Sequence, residues 1–205
     1  MMSEKLHAYG WEYINIDDGW EAPERTKGGE ILSNDKFPDF KALTDYIHGL
    51  GLKFGIYSSP GATTCGGHVG SYQHEEIDAR TWERWGVDYL KYDYCGYLDI
   101  EKDSKEETIQ EPYIVMRNAL DKVKRDIVFC VGYGAPNVWN WAAEAGGNQW
   151  RTTRDITDEW NVVTAIGTFQ DVCADATAPG RNNDPDMLVV GKLGQAGEAR
   201  CMILT

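Results

Sequence analysis

DFKALTDYIHGLGLKFGIYS (residues 39–58) and EEIDARTWERWGVDYLKYDYC (residues 75–95) follow one plan. In the first, Phe40, Leu43, Ile47 and Leu50 recur at helical spacing behind Asp39, a residue type that caps helix N-termini. Gly51 stands where a helix ends on a left-handed residue, and Lys53–Tyr57 then reads as a strand. In the second, a helix over Glu75–Trp85 closes on Gly86, and a strand over Tyr89–Tyr92 follows. Two successive helix–glycine–strand units predict a βαβ series and a parallel sheet.

Working outward, further strands are predicted at Tyr13–Ile16, Ile127–Val131, Gln149–Thr152 and, with a weaker pattern, Asp186–Val190. Polar residues gather just past the C-terminal ends: Asp17-Asp18, Tyr57-Ser58-Ser59, Asp93, Tyr133, Arg151 to Asp155, and Asn183-Asp184. In a (β/α) barrel such side chains converge on one rim, where sites are built. A doubly wound sheet also binds ligands at strand C-termini, but usually through a Gly-rich phosphate turn after its first strand. Here that turn is Asp17-Asp18-Gly19-Trp20, which repels phosphate. The predicted fold is therefore α/β, a (β/α)8 barrel type in incomplete form, with about six to seven βα units of the eight required. No linker interrupts it, so residues 1–205 read as one partial barrel domain.

The formal charge of −13 argues against nucleic acid or an anionic membrane as partner. No apolar run is long enough to span a bilayer, and the first residues lack the apolar core of a signal peptide. Eight Trp and eleven Tyr suit stacking on sugar faces, although core packing is the plainer reading for most of them. Five cysteines show no CxxC spacing and no paired His, so a structural zinc site is not expected, and an odd count leaves at least one thiol free unless it pairs with another chain.

Lys91 and Asp93 are two apart on one strand and point the same way. Pairing is expected to make both tolerable inside a barrel and to keep Asp93 ionised, as a nucleophile requires. The plainer reading is an ion pair that closes the barrel floor. Arg151-Thr152-Thr153-Arg154-Asp155 reads by itself as a salt bridge. Asp17-Asp18 suits sugar hydroxyls, a helix cap or, less well, a divalent metal. Carboxylates, an Arg, a Lys and aromatics on one rim are what glycoside hydrolysis needs. A Ser/His/Asp centre is weaker, since none of the four His sits at a predicted strand end.

The chain resembles the α-galactosidase and α-N-acetylgalactosaminidase group, glycoside hydrolase family 27. The resemblance rests on YINIDDGW (13–20), KFPDFKALTDYIHGLGLKFGIYS (36–58), TCGG (64–67), WGVDYLKYDYC (85–95), WRTTRDI (150–156) and NDPDML (183–188), in family order. It implies a retaining exo-glycosidase acting on terminal α-D-galactose of oligosaccharides or glycoconjugates, with no cofactor. Asp93 would be the nucleophile and Asp155 the general acid/base, their carboxyl groups about 5–5.5 Å apart. Asp17 and Asp18 would accept hydrogen bonds from the 4- and 6-hydroxyls. Lys91 would contact the sugar hydroxyls and Arg151 the 2-position, with Tyr57, Tyr133 and Asp184 also in the substrate site. Cys65 and Cys95 would form the disulfide beside the site, implying an oxidising compartment, secreted or periplasmic, for the parent protein.

Departures from the family sharpen these expectations. Ser59 stands where the family usually has Asp, and Val131 replaces a cysteine, so a second disulfide is not expected. Gly132 replaces a common Glu or Gln in the loop that reads the 2-substituent, while Tyr133 favours a free 2-hydroxyl. No GWNSW-like segment precedes Tyr9 and residues 191–205 lose the family pattern after Gly194, so a barrel truncated at both ends, without the family's C-terminal β domain, is the expectation. The alternatives are α-N-acetylgalactosaminidase or β-L-arabinopyranosidase activity, a remnant that at most binds sugar, and a metal-dependent hydrolase using Asp17, Asp18 and Asp184. Oligomeric state is not legible.

Overall fold

The structure, a computed structural model, describes residues 5–102 and 105–187. Six strands, β1 (Tyr13–Asn15), β2 (Lys53–Ser58), β3 (Tyr89–Tyr92), β4 (Val128–Val131), β5 (Gln149–Arg151) and β6 (Asn182–Asp184), pair in sequence order. Every pairing is parallel, and the sheet curls into a half-barrel, an incomplete (β/α)8 fold. The four α-helices described are α1 (Phe40–Gly49), α2 (Glu75–Trp85), α3 (Glu106–Leu120) and α4 (Trp160–Cys173).

The helix boundaries follow from local chemistry. The Asp39 carboxylate accepts the Ala42 N–H at 2.9 Å, satisfying one of the donors that a helix start leaves unpaired. Gly51 (φ +77°) and Gly86 (φ +86°) take the left-handed turns that end α1 and α2.

The register separates two faces. Phe54, Ile56, Leu90, Tyr92, Phe129, Val131 and Trp150 alternate onto the convex side and are fully buried. There Phe40 of α1 meets Phe54, and Tyr113 of α3 meets Tyr92 and Phe129. Each fully buried Ile, Leu, Val or Phe side chain on this face contributes about 1.5–3 kcal/mol by burial. Asp88, ahead of β3, pins the layers by accepting from the Phe54 N–H (2.8 Å), His48 and Arg125. Burial alone would raise its carboxyl, but the Phe54 N–H and the two basic side chains hold it below the ordinary value. The concave face is polar: Tyr89 packs edge-on to Tyr13 and donates to Gln149 at 3.2 Å.

The sixth strand differs from expectation. It is Asn182–Asp184, whereas Asp186 and Met187 lie outside any strand and residues 188–190 fall outside those described. Asn-Asn-Asp has no β-forming side chain, and its strand exists because β5 offers a partner ladder. Among the described residues, α4 leaves Trp160 82% and Val172 66% exposed. Among the described residues no helix is long and apolar enough to cross a membrane.

Candidate active site

Asp93 is the first residue past β3, in the middle of the sheet. Its N–H donates to Ser58 O at 2.9 Å, and its carbonyl accepts from Tyr113 at 3.1 Å. The carboxylate accepts from the Tyr94 N–H (2.8 Å) and from the Tyr57 hydroxyl (3.0 Å). Cys65 Sγ lies 3.3 Å from the same Oδ2, but as a contact without a donor, because Cys65 is joined to Cys95. The expected disulfide is thus present beside this carboxylate. It ties the loop after β2 to the loop after β3. These two loops meet backbone to backbone: a Cβ on Gly61 would sit 2.4 Å from Cys95 O, and one on Gly96 2.4 Å from Thr63 O.

The direct Lys91–Asp93 ion pair expected from spacing does not form. Lys91 Nζ passes the Tyr57 ring, 5.3 Å from its centroid, and binds Asp17 Oδ2 at 2.7 Å. A shared face fixes a side chain's direction but not its reach, and a lysine is long enough to cross β2. The Asp93 carboxyl is raised by burial, which outweighs the Tyr94 N–H, the Lys91 charge and the Tyr57 hydroxyl. Lys91 still works toward the ionised form, as expected, but without a direct ion pair and beside the Tyr94 N–H and the Tyr57 hydroxyl. For Lys91 itself, burial works downward, but the Asp17 charge and hydrogen bond, with Asp93 beyond, leave it above its ordinary value.

Asp18 accepts from the Gly66 N–H (2.6 Å) and the Gly19 N–H (2.9 Å). These donors belong to loops, so it caps no helix. At the end of β5, Arg151 Nη2 donates to Asp155 Oδ1 and to Thr153 O, both at 3.0 Å. The side chain of Asp155 is 92% exposed. Burial disfavours the Arg151 charge, yet Asp186, Asp155 and Asp184 hold it above the ordinary arginine value.

Asp17, Asp18, Tyr57, Lys91, Asp93, Arg151 and Asp155 line one open cleft of about 570 Å³. Two expected members stand apart from it. Asp184 lines a narrower cavity beneath, with Asn15, Tyr89 and Arg151, and burial raises its carboxyl. Tyr133 stacks on Tyr94 (centroids 4.6 Å apart) and is not part of the cleft lining. Two carboxylates were missed. Asp186 (4% exposed) accepts from the Ile156 N–H at 2.7 Å and faces Arg151 Nη1 at 3.3 Å; its place two residues after Asp184 in NDPDML was the signal. Glu21 (2% exposed) accepts from the Gly19 N–H at 3.0 Å, and burial pushes its carboxyl up to about 7.

Among the described residues, the group whose metal-ligand atoms come together is Cys65, Asp93 and Cys95, whose sulfurs are spent on each other. Asp17, Asp18 and Asp184 do not form such a group, so the metal-dependent reading loses its ligand set.

The Melibiase_2 family model, described as alpha galactosidase A, matches residues 1–204. The alpha-galactosidase of Cyamopsis tetragonoloba is 44% identical over 204 residues, covering 97% of this chain and 47% of the relative. Alpha-galactosidase A of Cellvibrio japonicus is 42% identical over 205 residues, covering 93% and 48%. Among solved structures, alpha-galactosidase I from Mortierella vinacea superposes with a TM-score of 0.86 at 34% identity, covering 93% of this chain and 53% of that one. The Saccharomyces cerevisiae alpha-galactosidase with raffinose gives 0.79 at 27% identity, covering 92% and 47%. The chain spans about half the length of the curated relatives it matches.

Proposed function

The chain belongs to the alpha galactosidase A (Melibiase_2) family, and from that premise we propose that it carries the catalytic half of a retaining exo-glycosidase that releases terminal α-D-galactose. The observation that supports this reading is the shared cleft: a half-buried carboxylate held by the Tyr94 N–H and the Tyr57 hydroxyl, Asp93, lines the same space as an exposed one, Asp155. An ionised Asp93 oxygen attacks the anomeric carbon, and the bond from that carbon to the aglycone oxygen breaks. Asp155 gives its proton to the departing oxygen. Asp155 then takes a proton from water, whose oxygen bonds to the anomeric carbon and releases Asp93. The two roles call for a well-anchored nucleophile and a proton carrier that meets solvent.

Asp17 and Asp18 are placed to accept from sugar hydroxyls. Both oxygens of each already accept one hydrogen bond, Asp17 from the Asp18 N–H and Lys91, Asp18 from the Gly19 and Gly66 N–H groups, which fixes how the two carboxylates are oriented. Tyr57 donates to Asp93 and stabilises its ionised form. A galactoside is the substrate class favoured by the relatives' names and by the raffinose bound in the yeast enzyme. Rates on nitrophenyl α-galactoside, its 2-acetamido analogue and nitrophenyl β-L-arabinopyranoside test this. Turnover is expected on the first. Turnover confined to either of the others overturns the specificity, and turnover of none overturns the enzymatic reading for this chain.

A further inference from the structure

Asp155 has its side chain 92% exposed, on a loop at the sheet's edge strands. An exposed carboxylate samples many rotamers, whereas a proton donor must be held to within a fraction of an ångström. Arg151, bonded to Asp155 Oδ1, supplies part of the restraint. The other part comes from a residue outside the cleft lining. Asp186 grips the loop on both sides of Asp155: one carboxylate oxygen faces Arg151 Nη1 at 3.3 Å, and the other accepts the Ile156 N–H at 2.7 Å. Asp186 is itself anchored, since its N–H donates to Asp184 Oδ1 at 2.8 Å. The same segment takes further bonds from the loop, Thr152 N–H to Asp184 O (2.9 Å) and the Thr153 hydroxyl to Pro185 O (3.1 Å). Asp186 also holds φ at +91°, which disfavours any residue but glycine, while its side chain is 3% exposed. Glycine would relieve the backbone and lose the grip.

We propose that Asp186 is the positioning residue for the general acid/base, orienting Asp155 through Arg151 and the Ile156 amide. This rests on the reading of Asp155 given above. Asp186→Gly suits the backbone and removes the carboxylate; Asp186→Asn keeps an acceptor for Ile156 and removes the charge that faces Arg151. Hydrogen exchange at the Ile156 amide needs no turnover. It should quicken at least tenfold in the glycine variant relative to the asparagine variant, with β3 amides unchanged in both. Equal exchange in all three proteins overturns the grip. The second measurement is kcat/KM for aryl and alkyl α-galactosides graded by leaving-group acidity. Because proton donation matters most to poor leaving groups, both variants should lose at least tenfold on alkyl galactosides and under threefold on dinitrophenyl galactoside. A uniform loss along the series overturns the positioning role. Failure of the parent protein on every galactoside overturns the function instead, and the exchange measurement still decides the grip.

Discussion

The two carboxylates that line the one cleft live in opposite surroundings. Asp93 stands at the centre of the sheet, where a tyrosine, two backbone N–H groups' worth of anchoring and a disulfide close on it from strands β2 and β3. Asp155 stands at the β5–β6 edge, on a loop held by Arg151 and Asp186, in the part of the chain that leads into α4, whose Trp160 and Val172 are exposed. The centre is held by burial and the edge by a few charged contacts. Stability and chemistry should therefore respond differently when each is perturbed.

The largest effect is expected at the centre. Asp93→Asn should remove turnover by roughly 10⁴-fold or more while leaving the melting transition and galactose binding in place. Activity surviving within tenfold would show that the central carboxylate is not the nucleophile. Next comes the disulfide, which closes a 30-residue separation. Replacing Cys65 and Cys95 together by serine should cost about 3–4 kcal/mol in urea unfolding. A change below about 1 kcal/mol would mean that the central loops hold without it.

The loop after β1, at the sheet's other end, carries a titrating weakness. The Glu21 carboxyl rises from 4.5 to about 7 on burial. Its contribution to stability is complete below about pH 4.5 and is lost as the pH climbs through 7. Glu21→Gln should remove that part of the pH dependence and raise stability at pH 8 by on the order of 2–3 kcal/mol. Parallel stability curves for the two proteins from pH 4.5 to 8 would overturn this. The smallest effect belongs to the edge: Trp160→Ser, at an 82% exposed site, should shift unfolding by less than about 0.5 kcal/mol. A loss above 2 kcal/mol would show that α4 is covered in solution.

The same division explains what the sequence made legible. Strands β1 to β5 announced themselves because burial on the convex face demands apolar residues such as Phe54, Leu90 and Phe129. Asn182–Asp184 carries no such signal, since its ladder to β5 uses backbone groups that every residue owns. Asp93 and Lys91 were found through their strand, yet the lysine's partner depends on side-chain reach across β2, which spacing along one strand does not encode. Asp186 and Glu21 stayed hidden because buried carboxylates look like surface ones until their neighbours are known. Asp155 read as a salt bridge, and a salt bridge to Arg151 is indeed what it makes.

Where the loops after β2 and β3 cross at Gly61 and Gly96, no side chain fits between them. Across any lineage that keeps this crossing, those two codons are confined to a single letter, while the outer faces of α3 and α4 can drift. The spelling of the chain is thus strictest where nothing protrudes. A gene library randomised over both regions should return glycine at 61 and 96, and near-arbitrary residues at Val115 and Val172.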